Sequence, residues 1–170
     1  MSGNQISGLL LLITLLLGIG HLAYYHPQLP DKVAIHFNFE GKADRFASRN
    51  VHTSMMIGLQ TGVATCLVGI GYLLRLLPAS LINIPNREYW LAPDRRQKST
   101  EKLRLGLSVM AIGTQLFLIG INHITIMQNL GRPEWNWFWP LLTGYLVFVV
   151  GFCLWLAIEF RLPTDEVADE

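Results

Sequence analysis

The sequence predicts an all-α integral membrane protein, a bundle of four transmembrane helices with a short extracytoplasmic loop resembling a β-hairpin. Three observations carry this. Four long stretches are apolar and almost uncharged. Charged residues make up only 15% of the chain, against about 25% in a soluble domain, and they fall between those stretches. One connecting segment alternates apolar and polar residues with a period of two, which is a strand pattern and not a helical one.

The spans follow in order. Ile6–Tyr25 has no charge; Thr53–Leu77 has only Arg75, Leu103–Leu130 only Arg104, and Phe138–Phe160 only Glu159. About 20 apolar residues suffice to cross a bilayer. In hydrocarbon such segments must be helical, because each backbone N–H and C=O needs a partner within the segment. The first segment reads as a retained helix and not a cleaved signal peptide: Met1–Gln5 has no Lys or Arg, the apolar run is long, and His21 spoils a small-residue cleavage site ending at Ala23. Cys66 and Cys153 lie in spans and read as small packing residues. The net charge of +1 argues against a direct nucleic-acid partner, and no cofactor is implied.

Close helix packing in lipid relies on small residues. Gly106, Gly113 and Gly120 recur every seven residues on one face of the third span. Gly58 and Gly62 form a GxxxG in the second, followed by Gly69, and Gly144 and Gly151 are seven apart in the fourth. These glycines predict a tight bundle and leave open whether some serve a homo-oligomer.

Lys and Arg favour cytoplasmic loops. The segment 78–102 with its flanks holds seven (Arg75, Arg87, Arg95, Arg96, Lys98, Lys102, Arg104), whereas the first loop holds four (Lys32, Lys42, Arg45, Arg49). The expected orientation puts the middle loop and both termini in the cytoplasm, and 26–52 outside. Trp135, Trp137 and Trp139, around the start of the fourth span, and the Tyr89–Trp90 pair fit the interfacial belts. Glu159 is expected to snorkel beside Arg161, and 161–170 to form a solvated acidic tail.

The first loop is the most informative region. Val33, Ile35, Phe37 and Phe39 alternate with Ala34, His36, Asn38 and Glu40, so His36, Asn38 and Glu40 are expected on one polar face. Gly41–Lys42–Ala43 reads as a turn, after which Asp44 and Arg45 fold back toward that face. Ser48 or Asn50 is expected to cap the next helix. His36, Glu40 and Asp44 allow a metal set, but without any compact ligand motif the simpler reading is a hydrogen bond from His36 to Asp44 that ties the hairpin.

These residues also carry a resemblance. Leu29–Pro30, Ile35–His36–Phe37–Asn38, Gly41, Asp44, Phe46 and Ser48–Arg49 resemble the domain of unknown function numbered 1648, found at the N-terminus of SdpI-type bacterial immunity proteins. Asn83–Ile84–Pro85–Asn86–Arg87–Glu88–Tyr89–Trp90 resembles a second segment common in that family. Together the two cover roughly the first half of the chain. SdpI-type proteins protect a bacterium from its own secreted peptide toxin and hold a repressor at the membrane; they look longer than this chain, with additional spans. The resemblance implies a multi-pass protein of the bacterial inner membrane. It would use His36, Asn38, Glu40, Gly41, Asp44 and Arg45 toward an extracellular peptide, and Asn83, Pro85, Asn86 and Trp90 toward a cytoplasmic regulator. Arg87, Arg95 and Arg96 suit anionic headgroups of the surrounding lipid.

A polar layer near the outer face does not depend on the family. His21, Gln60, Asn122, His123 and Tyr145, with Thr143 at the same depth, lie within the outer halves of spans. Either they form ordinary helix–helix hydrogen bonds, each worth roughly 0.6 kcal/mol, or they line a pocket open to the outside and roofed by the hairpin. No GxSxG, Walker loop or paired intramembrane carboxylates appear, so no enzymatic activity is expected. The expected function is SdpI-like, sensing or giving immunity to an extracellular peptide toxin and signalling inward. The alternative is a small transporter or channel subunit using the outer polar pocket.

Overall fold

The computed structural model describes residues 2–132 and 134–163. It is mostly helical, with α1 (Gly3–Tyr25), α2 (Arg49–Leu73), a single-turn α3 (Arg87–Trp90), α4 (Arg96–Asn129) and α5 (Phe138–Glu159). Helices α1, α2, α4 and α5 are each long and apolar enough to cross a membrane. A two-stranded antiparallel hairpin, β1 (Lys32–Phe37) and β2 (Ala43–Ser48), joins α1 to α2. The hairpin defines one end of the bundle and the 74–95 connection the other. The acidic positions Asp165 to Glu170 lie outside the described residues.

The distribution of polarity is inverted relative to a water-soluble bundle. Ile6, Leu9, Leu10, Leu12, Ile13, Leu16 and Leu17 of α1 are exposed, as are Leu146, Val147, Val150, Leu154 and Ile158 of α5. In water this apolar surface would far exceed the few hundred Å² that monomers tolerate. The centre, by contrast, buries His52, Gln60, Gln115 and Asn122. Apolar outside and polar inside is the arrangement that hydrocarbon solvent favours.

Helix α4 is the hub, packing against α1, α2 and α5, while α5 packs chiefly on α4. At 34 residues α4 runs about 51 Å, which exceeds the hydrocarbon thickness, so its first turns stand in the basic connection. The α4–α5 contact follows the glycine repeat. A Cβ at Gly106 would meet Trp155 at 2.8 Å, at Gly113 Phe148 at 2.4 Å, and at Gly120 Leu141 at 2.7 Å. Glycines spaced by seven thus receive knobs spaced by seven from an antiparallel partner. Gly58, Gly62, Gly69, Gly144 and Gly151 have nothing within 4 Å of such an atom, so the GxxxG of α2 makes no intramolecular contact.

At the basic end, the Asn83–Trp90 segment acts as a clasp. Asn86, in the left-handed region at φ 50°, donates through Nδ2 to the Phe160 carbonyl at 2.9 Å, and Trp90 Nε1 donates to the same oxygen at 2.9 Å. Together they satisfy an orphan carbonyl at the C-terminus of α5. Phe160 is fully buried beneath Ile82, Ile84 and Leu91. Arg96 donates to the Leu77 carbonyl just beyond α2. Glu159 pairs with Lys102 of α4, so the two charges neutralise each other at the bundle end.

Candidate functional site: the hairpin and the polar interior beneath it

The hairpin is built largely by the residues that carry the family resemblance. Leu29 and Val33 are buried against Ile126 and Met127 of α4. Arg49 closes the base: its backbone N–H donates to the Asp31 carbonyl at 3.0 Å, its Nη1 to the Leu29 carbonyl at 3.3 Å, and its Nη2 pairs with the Asp31 carboxylate at 3.1 Å. Ser48 caps α2 by accepting from Val51 N–H at 3.3 Å. Asn38 organises the turn, its Oδ1 accepting from Glu40 N–H at 3.0 Å and Lys42 N–H at 2.9 Å. Gly41, at φ +77°, presses against the Trp135 ring, where a Cβ would come within 2.8 Å. Only glycine fits that conformation and that contact together.

The expected face of His36, Asn38 and Glu40 does not persist along the strand. β1 ends at Phe37, and irregularities between Ala34 and His36 and between His36 and Phe37 break the alternation. Asn38 and Glu40 therefore belong to the turn, and Phe39 is 88% exposed instead of lying on an inner face. His36 Nδ1 donates to Asp44 Oδ1 at 2.5 Å, whereas Glu40 pairs with Lys42 at 2.8 Å. The His36–Glu40–Asp44 set thus does not converge, and the described residues hold no group of three His, Cys, Asp or Glu placed to bind a metal. Arg45 lies opposite His36 in the ladder, exposed.

Two contacts absent from the sequence reading fix the hairpin on the bundle. The Asn129 amide at the end of α4 accepts from Ala34 N–H at 2.7 Å and donates to Ala34 C=O at 3.0 Å, pairing with the outer edge of β1 as a strand would. At the other end Trp135 stacks on Phe138 and approaches Phe37 at 5.7 Å. Between the hairpin tip and the start of α5 lies a groove of about 380 Å³, lined by His36, Asn38, Phe39, Asp44, Trp135 and Trp139 among others.

Beneath the hairpin the structure divides the expected polar layer into three groups. His21 Nε2 and His123 Nδ1 are 3.0 Å apart, and His123 Nε2 is 3.5 Å from Glu134 Oε2. His52 and Asn122 adjoin one another, 2% and 1% exposed, and their side-chain polar atoms lack hydrogen-bond partners among the described residues. Deeper, Gln60 and Gln115 are fully buried; Gln115 Nε2 donates to the Gln60 carbonyl at 2.6 Å, while both polar atoms of the Gln60 side chain and Gln115 Oε1 are unpartnered. Gln60 lies so close to α1 that a Cβ on Gly18 would meet its Oε1 at 1.9 Å. Tyr145 does not join them: it hydrogen-bonds Thr114 at 3.0 Å and stacks on Phe117, because α5 touches the opposite side of α4; Thr143 is exposed.

Glu134, Gln115, Asn129 and Gly18 were missed from sequence. Gln115 had a signal, since it precedes Asn122 by seven residues and shares its face. His52 and Gln60, spaced by eight, likewise share a face of α2. Nothing local marks Asn129 or Gly18, whose partners lie on other elements.

Fold and site define a protein with four membrane-length helices, an end-mounted hairpin and a polar interior. A comparison with known families then matches residues 9–61 to a Domain of unknown function (DUF1648), from within α1, through the hairpin, to the middle of α2. The chain shares that domain over this stretch; the Asn83–Trp90 segment lies outside it. No curated protein and no solved structure matches the chain.

Proposed function

We propose that this is a non-enzymatic bacterial membrane protein of SdpI-like type, which senses or resists an extracellular peptide at its hairpin end. The observation that carries the reading is the coincidence of the shared domain, residues 9–61, with the hairpin and its aromatic groove. Seven cations in and around the middle connection, against four in the hairpin loop, support a cytoplasmic basic end and an external hairpin. The groove offers exposed Phe39 and Trp139 beside the His36–Asp44 pair, apolar rings next to a polar tie, as a peptide side chain requires. On the inner side, Asn86 and Trp90 spend their donors on Phe160, so a cytoplasmic regulator would meet the exposed Asn83, Pro85 and Arg87. The test is toxin survival: cells lacking the protein lose tolerance to a secreted peptide, and Phe39→Ala with Trp139→Ala reproduces the loss while the protein remains in the membrane. Unaltered tolerance in both sinks the reading.

A second reading, a small transporter or channel subunit, is favoured by one observation. His52, Gln60, Gln115 and Asn122 are buried with unsatisfied polar atoms, which hydrocarbon penalises heavily and which a passing polar solute would satisfy. Solute uptake by proteoliposomes, reduced in Gln60→Leu, supports it; uptake equal to that of protein-free liposomes rejects it.

A further inference from the structure

We infer that Glu134, His123 and His21 form a one-proton relay between the hairpin-end surface and the buried side of α1. His123 is the bridge, because its partners sit on opposite nitrogens: Glu134 Oε2 at Nε2, His21 Nε2 at Nδ1. Glu134 is partly exposed, whereas His21 Nδ1 is buried and has no hydrogen-bond partner among the described residues. The row therefore has a wet end and a dry end. Tyr25 is the other titratable ring facing it, its centroid 4.9 Å from that of His21 and 5.9 Å from that of His123.

The carboxylate sets the polarity of the row. A negative Glu134 favours a proton on His123 Nε2, which leaves His123 Nδ1 as an acceptor. His21 must then donate from Nε2, and His21 Nδ1 is left as a bare lone pair. A proton arriving at that lone pair moves the row by one hop at each bond. His21 passes its Nε2 proton to His123 Nδ1, and His123 passes its Nε2 proton to Glu134. The products are neutral Nδ1–H imidazoles and a protonated carboxyl, which releases its proton to water. A proton entering at Glu134 retraces the hops and restores the first state. Atoms and charge balance in both directions, and the one adjustment needed is to shorten the 3.5 Å contact by about half an ångström to hydrogen-bond length. Gly18, about one turn before His21, lies against Gln60, so the dry end of the relay and the amide layer occupy neighbouring turns of α1.

The relay predicts tautomers and coupling that mere packing does not. The full chain, with ¹⁵N-labelled histidine in lipid nanodiscs, is read by NMR across pH 5 to 8, with His21→Gln and His123→Gln giving the assignments. We expect Nε2–H tautomers at both rings at neutral pH, and any change of protonation at one ring to appear at the other at the same pH. Glu134→Gln, which can donate to His123 Nε2, turns both rings toward Nδ1–H, although it touches only one of them. Independent titration of the two rings, or a His21 tautomer indifferent to residue 134, overturns the relay. Should Glu134→Gln fail to fold, the wild-type tautomers and the joint or independent response of the two rings decide it alone.

Discussion

The two faces of α4 are built on opposite rules. Toward α5, Gly106, Gly113 and Gly120 receive Trp155, Phe148 and Leu141 in a largely apolar seam, where the one polar pair described is Thr114 with Tyr145. Toward α1 and α2, Gln115, Asn122 and His123 meet Gln60, His52 and His21 with polar atoms left over. In lipid there is no hydrophobic drive between helices, so the first face holds by close van der Waals contact. The second gives up that economy, and strained or unsatisfied groups of this kind collect where a protein has work to do. The difference separates the contact that seats α5 from the polar contacts of α4 with α1 and α2.

The sharpest way to break the comparison is at the glycine seam. Gly113→Leu drives a side chain into Phe148, and we expect α5 to unseat, with loss of monodisperse protein on size exclusion in detergent. Gly144→Leu, in open space, leaves the elution profile unchanged. Next in size, Asn129→Ala removes both hydrogen bonds to Ala34 and costs about 1–3 kcal/mol, seen as faster hydrogen exchange across residues 32–48 with the helices unaffected. Trp90→Phe keeps the ring but drops one donor to the Phe160 carbonyl, which Asn86 still serves; we expect a loss of about 0.5–1.5 kcal/mol in thermal unfolding. The smallest effect on stability belongs to the polar face. Gln115→Leu loses one hydrogen bond but also removes an unpartnered oxygen, for a net change within about 0.6 kcal/mol by the same unfolding assay. A large loss there would show that the amides serve the fold and not a function.

The polar face was half legible from sequence. His21, Gln60, Asn122 and His123 stood out because a polar side chain in an apolar run is conspicuous. Their grouping was not legible, since depth along a helix says nothing of rotation relative to a neighbour. Tyr145 shows the point: it shares the depth of the layer but faces Thr114, on the wrong side of α4. In the hairpin, alternation located the strand and the turn, and the proximity of His36 and Asp44 followed from the fold-back. The bulges that end the alternation after Ala34 depend on how the hairpin docks, so Phe39 was placed on a face it does not occupy. Asn86 and Trp90 read as available to a partner because their acceptor, the Phe160 carbonyl, is 74 and 70 residues away along the chain and belongs to a backbone that sequence does not display.

By itself the sequence determined which segments are membrane-length helices, where the charges gather and that a hairpin interrupts the helical pattern, because these depend on local composition and period. Which face of each helix meets which neighbour was decided by the tertiary structure. It alone sent the glycines of α4 to α5 and left Gly58, Gly62 and Gly69 of α2 unused, seated Gln60 on Gly18, and put His123 between His21 and Glu134. The physical reason is that lipid makes every apolar helix face nearly equivalent until side chains interlock, so steric fit and the pairing of polar groups, both nonlocal, choose among them.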